Sequence, residues 1–192
     1  MTFLLGLIRH GVTEWNAAGR TQGQRDIPLS GEGRKQANAL GTRIPPDGWD
    51  VLYSSDLSRA AETARIIGEH ADLEPVLLDV RLRERSFGPL EGLTRREREE
   101  RWGERPFDTP GVEPAADVTK RGLEFVREVQ QKHSGGRVLA VTHGAFIRHL
   151  LPALLREGAE PEGDLNNASL TILHYDGRKW RCLLFNGNVP VS

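Results

Sequence analysis

Two short segments of the sequence share one arrangement, an apolar run that ends directly in His-Gly. They are Leu7-Ile8-Arg9-His10-Gly11 and Val141-Thr142-His143-Gly144. Imidazole can serve as nucleophile, acid or base near neutral pH, and a following glycine lets backbone N–H groups approach a ligand. Either histidine taken singly is as well explained by a hydrogen-bonded core residue. The pair, with Arg9 beside one of them, favours a site. Arg59 lies near the start of a helical segment, where a guanidinium is suited to gripping a phosphate with two parallel hydrogen bonds. Spacing alone favours a blander use for it, a surface ion pair with Asp56 or Glu62. Glu84, in Arg83-Glu84-Arg85, follows a strand candidate and can reach the same edge, although by itself it reads as an ordinary exposed carboxylate.

These residues need a frame that brings them together. Short apolar runs alternate with longer amphipathic segments, which predicts an α/β fold of three layers, α/β/α, with a mostly parallel central sheet. Strands are expected over 3–8, 50–53, 76–78 and 138–141. The segments 170–175 and 180–185 flank Asp176-Gly177 and predict an antiparallel hairpin at the sheet edge. Helices are expected from Ser30 to Ile44, capped by Ser30 and stopped by Pro45-Pro46, and from a Ser55 cap with Leu57, Ala60, Ala64 and Ile67 inward. Further helices are expected over 94–101, 117–133 and 145–156. In the first of these Arg95/Glu99, Arg96/Glu100 and Glu97/Arg101 stand one turn apart. Prolines and glycines make 103–114 an irregular loop. In open sheets of this kind ligands bind outside the carboxyl ends of the strands, where both His-Gly pairs fall.

Composition excludes several other functions. The chain has 192 residues, 38% hydrophobic, which suits a single domain over residues 1–192. With 26 Lys and Arg against 27 Asp and Glu, a net charge of −1 gives no electrostatic case for nucleic acid or an anionic membrane. The lone Cys182 excludes a disulfide scaffold and a cysteine zinc site. The apolar run after Thr2 is too short for a secretion signal or a membrane span, so a cytoplasmic location is expected. His70 and His133 read as helix C-terminal caps, and His149 and His174 as structural or solvated.

Reading on from Arg9, the ordered blocks are Arg9-His10-Gly11-Val12-Thr13-Glu14-Trp15-Asn16, Gln22-Gly23, Asp26, Pro28-Leu29-Ser30, Gly33 and Gln36-Ala37. They continue with Ser54-Ser55-Asp56-Leu57-Ser58-Arg59-Ala60, Thr63-Ala64, Leu82-Arg83-Glu84, Phe87-Gly88, Glu91-Gly92 and Thr142-His143-Gly144. In this order the set resembles the histidine phosphatase superfamily, the phosphoglycerate mutase-like group, and covers most of the chain. The resemblance implies that His10 is a nucleophile carrying a phosphoryl group, with Arg9, Arg59 and His143 around the phosphoryl oxygens and Glu84 as acid, then base. It implies substrate contacts from Asn16, Gln22, Gly23, Gly144 and Arg95. It also implies no metal and no cofactor, a small phosphorylated metabolite as partner, and a monomer or homodimer.

Nearby positive charge keeps an imidazole neutral and nucleophilic. A carboxyl group facing a phosphate dianion keeps its proton more readily, because like charges repel. The segment between Glu84 and His143 is short and lacks the arginine pair that mutases of this group carry there. The chain therefore resembles the short broad-specificity phosphatases, or the phosphatase for α-ribazole 5′-phosphate in cobalamin assembly. A cofactor-dependent phosphoglycerate mutase is the alternative within the same chemistry, and a phospho-ligand binding module without catalysis the alternative outside it. Specificity is expected in the loop 103–114. There Trp102, Phe107 and Val112 either form an apolar wall over the substrate or pack as plain core.

Overall fold

The computed structural model describes residues 2–104, 106–155 and 163–187. One six-stranded sheet is built from β1 (Phe3–Arg9), β2 (Val51–Ser54), β3 (Leu77–Leu78), β4 (Arg137–Thr142), β5 (Leu170–Tyr175) and β6 (Trp180–Gly187). The strands lie in the order β3-β2-β4-β1-β5-β6. The first four in that order run parallel, and β5 and β6 close the edge as an antiparallel hairpin.

Alternation along β1 and β4 sorts their side chains onto two faces. Leu5, Leu7, Val138 and Ala140 face one apolar cluster with α5 (Ala115–Lys132) and α6 (Gly144–Leu155), through Phe125, Val129, Phe146 and Leu150. Ile8, Leu139 and Val141 face the other with α2 (Gly31–Gly41) and α3 (Ser58–Ala71), through Leu40, Ala60, Ala64 and Ile67. Both faces of these strands are thus covered, which is why they read as nearly continuous apolar runs. Two further helices, α1 (Glu14–Ala17) and α4 (Arg95–Trp102), stand in the connections. The three-layer α/β architecture is as expected, and among the described residues no helix is long and apolar enough to cross a membrane.

Several local expectations are corrected. The helix after Ser30 stops at Gly41, before the prolines. Ile44 is buried beyond its end, and Pro46 opens a separate short turn, Pro46–Gly48. Ser55 does not cap α3, which begins at Ser58 after Leu57 with no side-chain cap. In α4 the Arg95/Glu99 and Arg96/Glu100 pairs form at 2.7 Å. Glu97 instead closes a capping box with Thr94 and pairs with Arg20. His133 ends α5, but it bonds the Tyr53 hydroxyl and burial lowers its pKa, so it is no cationic cap. His70 lies in the last turn of α3 and bonds the Asn38 side chain. Arg156, the expected end of the helix after His143, lies outside the described residues.

Candidate active site

Register alone brings the two histidines together. β1 and β4 are adjacent and parallel with Arg9 opposite Thr142, so the next residue of each strand emerges at the same carboxyl edge. The His10 and His143 rings lie 5.1 Å apart, centre to centre. Both residues are buried, at 2% and 0% exposure.

His10 is held in one tautomer. Its Nδ1 is 2.7 Å from the Gly11 carbonyl oxygen, which can only accept, so Nδ1 carries the proton and Nε2 presents its lone pair. Arg59 Nε donates to that Nε2 at 3.3 Å. Burial, then Arg59, then Arg9 push the His10 pKa well below the usual histidine value, so the ring is neutral. The His10 carbonyl accepts from Ala168 N–H and from Asn167 Nδ2, which ties the loop after β1 to the segment before β5.

His143 is fixed by Ser55. β2 lies beside β4 with Ser54 opposite Val141, which sets Ser55 level with the strand end. The Ser55 hydroxyl lies 2.9 Å from His143 Nε2 and accepts the Leu57 N–H. The other ring nitrogen of His143 is Nδ1. That atom is buried and has no partner among the described residues. Burial and Arg59 hold His143 well below the ordinary histidine pKa too.

The cations are positioned by backbone. Arg59 is fully buried, and its guanidinium donates to the carbonyls of Gly23 (2.7 Å) and Arg25 (2.8 Å). The surface ion pair that spacing favoured is not made, because Asp56 takes Arg83 and Glu62 takes Arg34. Arg9 donates to the Leu165 carbonyl, and its Nε is buried without a partner among the described residues. Gly144 lies under Arg9, where a Cβ would stand 3.3 Å from Nε.

The loop after His10 sits directly on the start of α2. A Cβ on Gly33 would come within 2.1 Å of the Val12 carbonyl oxygen, and one on Gly11 within 2.5 Å of the Gly33 oxygen. The Ser30 hydroxyl both accepts from Gly33 N–H, as the expected cap, and donates to Val12 O.

Glu84 sits at the start of α6, where unpaired N–H groups favour an anion. Its Oε1 accepts from the N–H groups of Arg85 and Phe146, both at 2.9 Å, and its Oε2 from Ala145 at 3.1 Å. Its loop is clamped by Arg121 of α5, which donates to the carbonyls of Arg81, Arg83 and Glu84 and pairs with Glu113 at 2.9 Å. Arg121 was not singled out by its spacing, although a charged residue on the apolar stripe of Val118 and Phe125 is a readable signal.

His10 lines a cleft of about 320 Å³ that holds Arg9, Arg20, Arg59, Arg98 and Arg148 against Glu84. Asn16, Gln22, Gly23 and Gly144 line it too. Gln22 accepts from the Thr13 hydroxyl, and Asn16 accepts from Thr13 N–H and Asn167 Nδ2. Arg95 does not reach the cleft. It points to solvent against Glu99, and Arg98, one turn further along α4, is the residue that lines it. Of the three expected wall residues only Phe107 lines the cleft, joined by Phe87. Ser55, Asn167, Arg121, Arg20, Arg98 and Arg148 are the site residues that spacing did not single out. Among the described residues no group of three or more His, Cys, Asp and Glu side chains is arranged to hold a metal ion.

Comparison with known proteins follows the same lines. The profile of the histidine phosphatase superfamily (branch 1) matches residues 5–188. The chain is 35% identical over 189 residues to the uncharacterized phosphatase PhoE of Bacillus subtilis, covering 97% of this chain and 95% of that one. It is 36% identical over 185 residues to a metal-independent phosphoserine phosphatase of Arabidopsis thaliana, covering 91% and 77%. Among solved structures, a mycobacterial glucosyl-3-phosphoglycerate phosphatase complexed with VO3 superposes with a TM-score of 0.82 at 34% identity, covering 96% and 99%.

Proposed function

Because the chain belongs to the histidine phosphatase superfamily, branch 1, we propose that it is a metal-independent phosphomonoesterase working through a phosphohistidine on His10. The carrying observation is the His10 ring itself: neutral, with its proton held by the Gly11 carbonyl and its Nε2 lone pair turned to Arg59.

In the first step Nε2 attacks phosphorus while the ester P–O bond breaks. The leaving oxygen takes a proton from the Glu84 carboxyl. Oε2, with a single N–H donor, has the room to carry that proton. In the second step the Glu84 carboxylate removes a proton from water, whose oxygen attacks phosphorus. Inorganic phosphate leaves and the electron pair returns to Nε2. Charge on the transferring group is met by Arg9, Arg59 and His143. Preorganised donors of this kind supply most of the catalysis in phosphoryl transfer. The Gly11 carbonyl accepts the Nδ1–H throughout and steadies the positive ring of the intermediate.

The substrate class is a small phosphorylated metabolite. Phosphate release from p-nitrophenyl phosphate, measured in EDTA for the wild type and His10→Ala, tests the mechanism. Turnover is expected to survive EDTA and to vanish in the variant. Substantial turnover by His10→Ala would refute the nucleophile, and conversion of 3-phosphoglycerate to its 2-isomer faster than phosphate release would mark a mutase instead.

A further inference from the structure

Glu91 has no part in the steps above, yet its carboxylate is almost enclosed, with 8% of the side chain exposed. Its Oε1 accepts from the N–H groups of Gln24 and Phe87, both at 3.0 Å. The ion pair it makes, with Arg25 at 3.5 Å, involves a side chain that is 68% exposed and offsets little of the cost of enclosing a charge.

The Gln24 N–H and the Gly23 carbonyl belong to one trans peptide unit, so they point in opposite directions. Glu91 holds the N–H on one side, and Arg59 donates to the carbonyl at 2.7 Å on the other. Bonds at the two ends of one peptide strengthen each other. Gly23 stands at φ +56°, and a Cβ there would collide with Glu91 Oε1, so backbone and carboxylate are in close contact. The second acceptor of Arg59, the Arg25 carbonyl, follows in the same loop. Burial lowers the Arg59 pKa, and Glu84 and Asp26 oppose this more than Glu91 does, so Glu91 supplies position rather than charge.

We propose that Glu91 is a positioning residue, which fixes the Gly23–Gln24 peptide and thereby aims the Arg59 guanidinium at His10 Nε2 and at the transferring phosphoryl group. The role in transfer rests on the phosphatase reading above.

The test compares Glu91→Ala, Arg59→Ala and the double variant, in kcat/KM for p-nitrophenyl phosphate and in NMR titration of the His10 ring. Glu91→Ala is expected to lose at least about tenfold in kcat/KM, chiefly through kcat. It is also expected to raise the His10 midpoint toward that of Arg59→Ala. The other charged or titratable groups around His10, which are Arg9, His143 and Glu84 across the cleft, remain in every variant. Added to Arg59→Ala, Glu91→Ala is expected to cost less than about twofold more, because its effect runs through the guanidinium. Glu91→Gln keeps an oxygen for both N–H groups and recovers most of the loss. Glu91→Asp draws the carboxylate back by one carbon and moves the midpoint as Glu91→Ala does, which keeps the test open if the alanine variant does not fold. Losses from Glu91→Ala and Arg59→Ala that multiply, a glutamine variant no better than alanine, or a His10 midpoint left at its wild-type value would each overturn the assignment. A protein that hydrolyses no phosphomonoester fails the phosphatase reading, while the His10 midpoint still decides for or against Glu91.

Discussion

At the scale of single residues the site is an economy of proton positions. His10 and His143 are both buried and both held neutral by burial and by Arg59, while a backbone carbonyl fixes the tautomer of the first and a serine hydroxyl bonds the ring of the second. Arg59 contributes twice, by keeping His10 unprotonated and by standing ready for negative charge. Arg59→Ala is therefore expected to lose at least about 2 kcal/mol of transition-state stabilisation in kcat/KM. An unchanged rate would reduce Arg59 to a structural prop. The same charge sets a pH signature. With the folded-state pKa below the ordinary value of about 6.5, His10 stays unprotonated as pH falls through that value and charges only at more acid pH. The unfolded chain binds protons in that window which the native site refuses, so stability declines as pH drops below about 6.5 and keeps declining until the folded pKa is passed. NMR titration of the His10 ring in the substrate-free protein should show the depressed midpoint, and Arg59→Ala should raise it. A wild-type midpoint near the ordinary value, or no movement in the variant, would sink this account.

At the scale of elements, what positions the site is the contact of strand ends with helix starts. The loop after His10 rests on Gly33 with no room for a side chain. Gly33→Ala must push the loop or the helix aside and is expected to cost about 1–3 kcal/mol of stability, as overpacking does, together with a clear loss of kcat. Thermal unfolding and kinetics of the one variant check both, and a normal Tm with normal kcat would show that the contact is loose. Much of this frame was legible beforehand. Apolar runs ending in His-Gly place His10 and His143 on one edge because parallel neighbours end together, and Ser30 ahead of Ala37 and Leu40 at helical spacing reads as a helix start. Other parts depend on rotation about a helix, which spacing does not reveal. Thr94 and Glu97 lock the start of α4 and so decide that Arg98 faces the cleft while Arg95 faces water. Arg59 reads as a surface residue by spacing because the carbonyls that hold it, from Gly23 and Arg25, lie far away in the chain. Ser55 has the look of a helix cap, yet its hydroxyl faces His143 across the sheet.

At the scale of the whole molecule the fold gathers five arginines and the neutral His10 around one carboxylate in a single cleft, with the His143 ring 5.1 Å from that of His10. Such a gathering of cations, with Arg59 fully buried, is relieved by an anion, so phosphate or vanadate is expected to raise Tm. At a hundredfold excess over Kd the gain is about 2.7 kcal/mol, and Arg59→Ala should reduce it. A Tm indifferent to both anions would mean that the cleft does not bind oxyanions. Sheet order carries a different consequence, one for biosynthesis. The strand that leads into His10 precedes the other strands in the chain, yet both its neighbours, β4 and β5, come from residues 137–175. On the ribosome β1 therefore waits, apolar and unpaired, until most of the chain has been made. Asn167 and Ala168, which hold the His10 carbonyl, emerge later than β4. A nascent or truncated chain that stops short of them carries every side chain of the proposed mechanism without the bonds that hold the His10 carbonyl, so activity is expected only once the last strands dock.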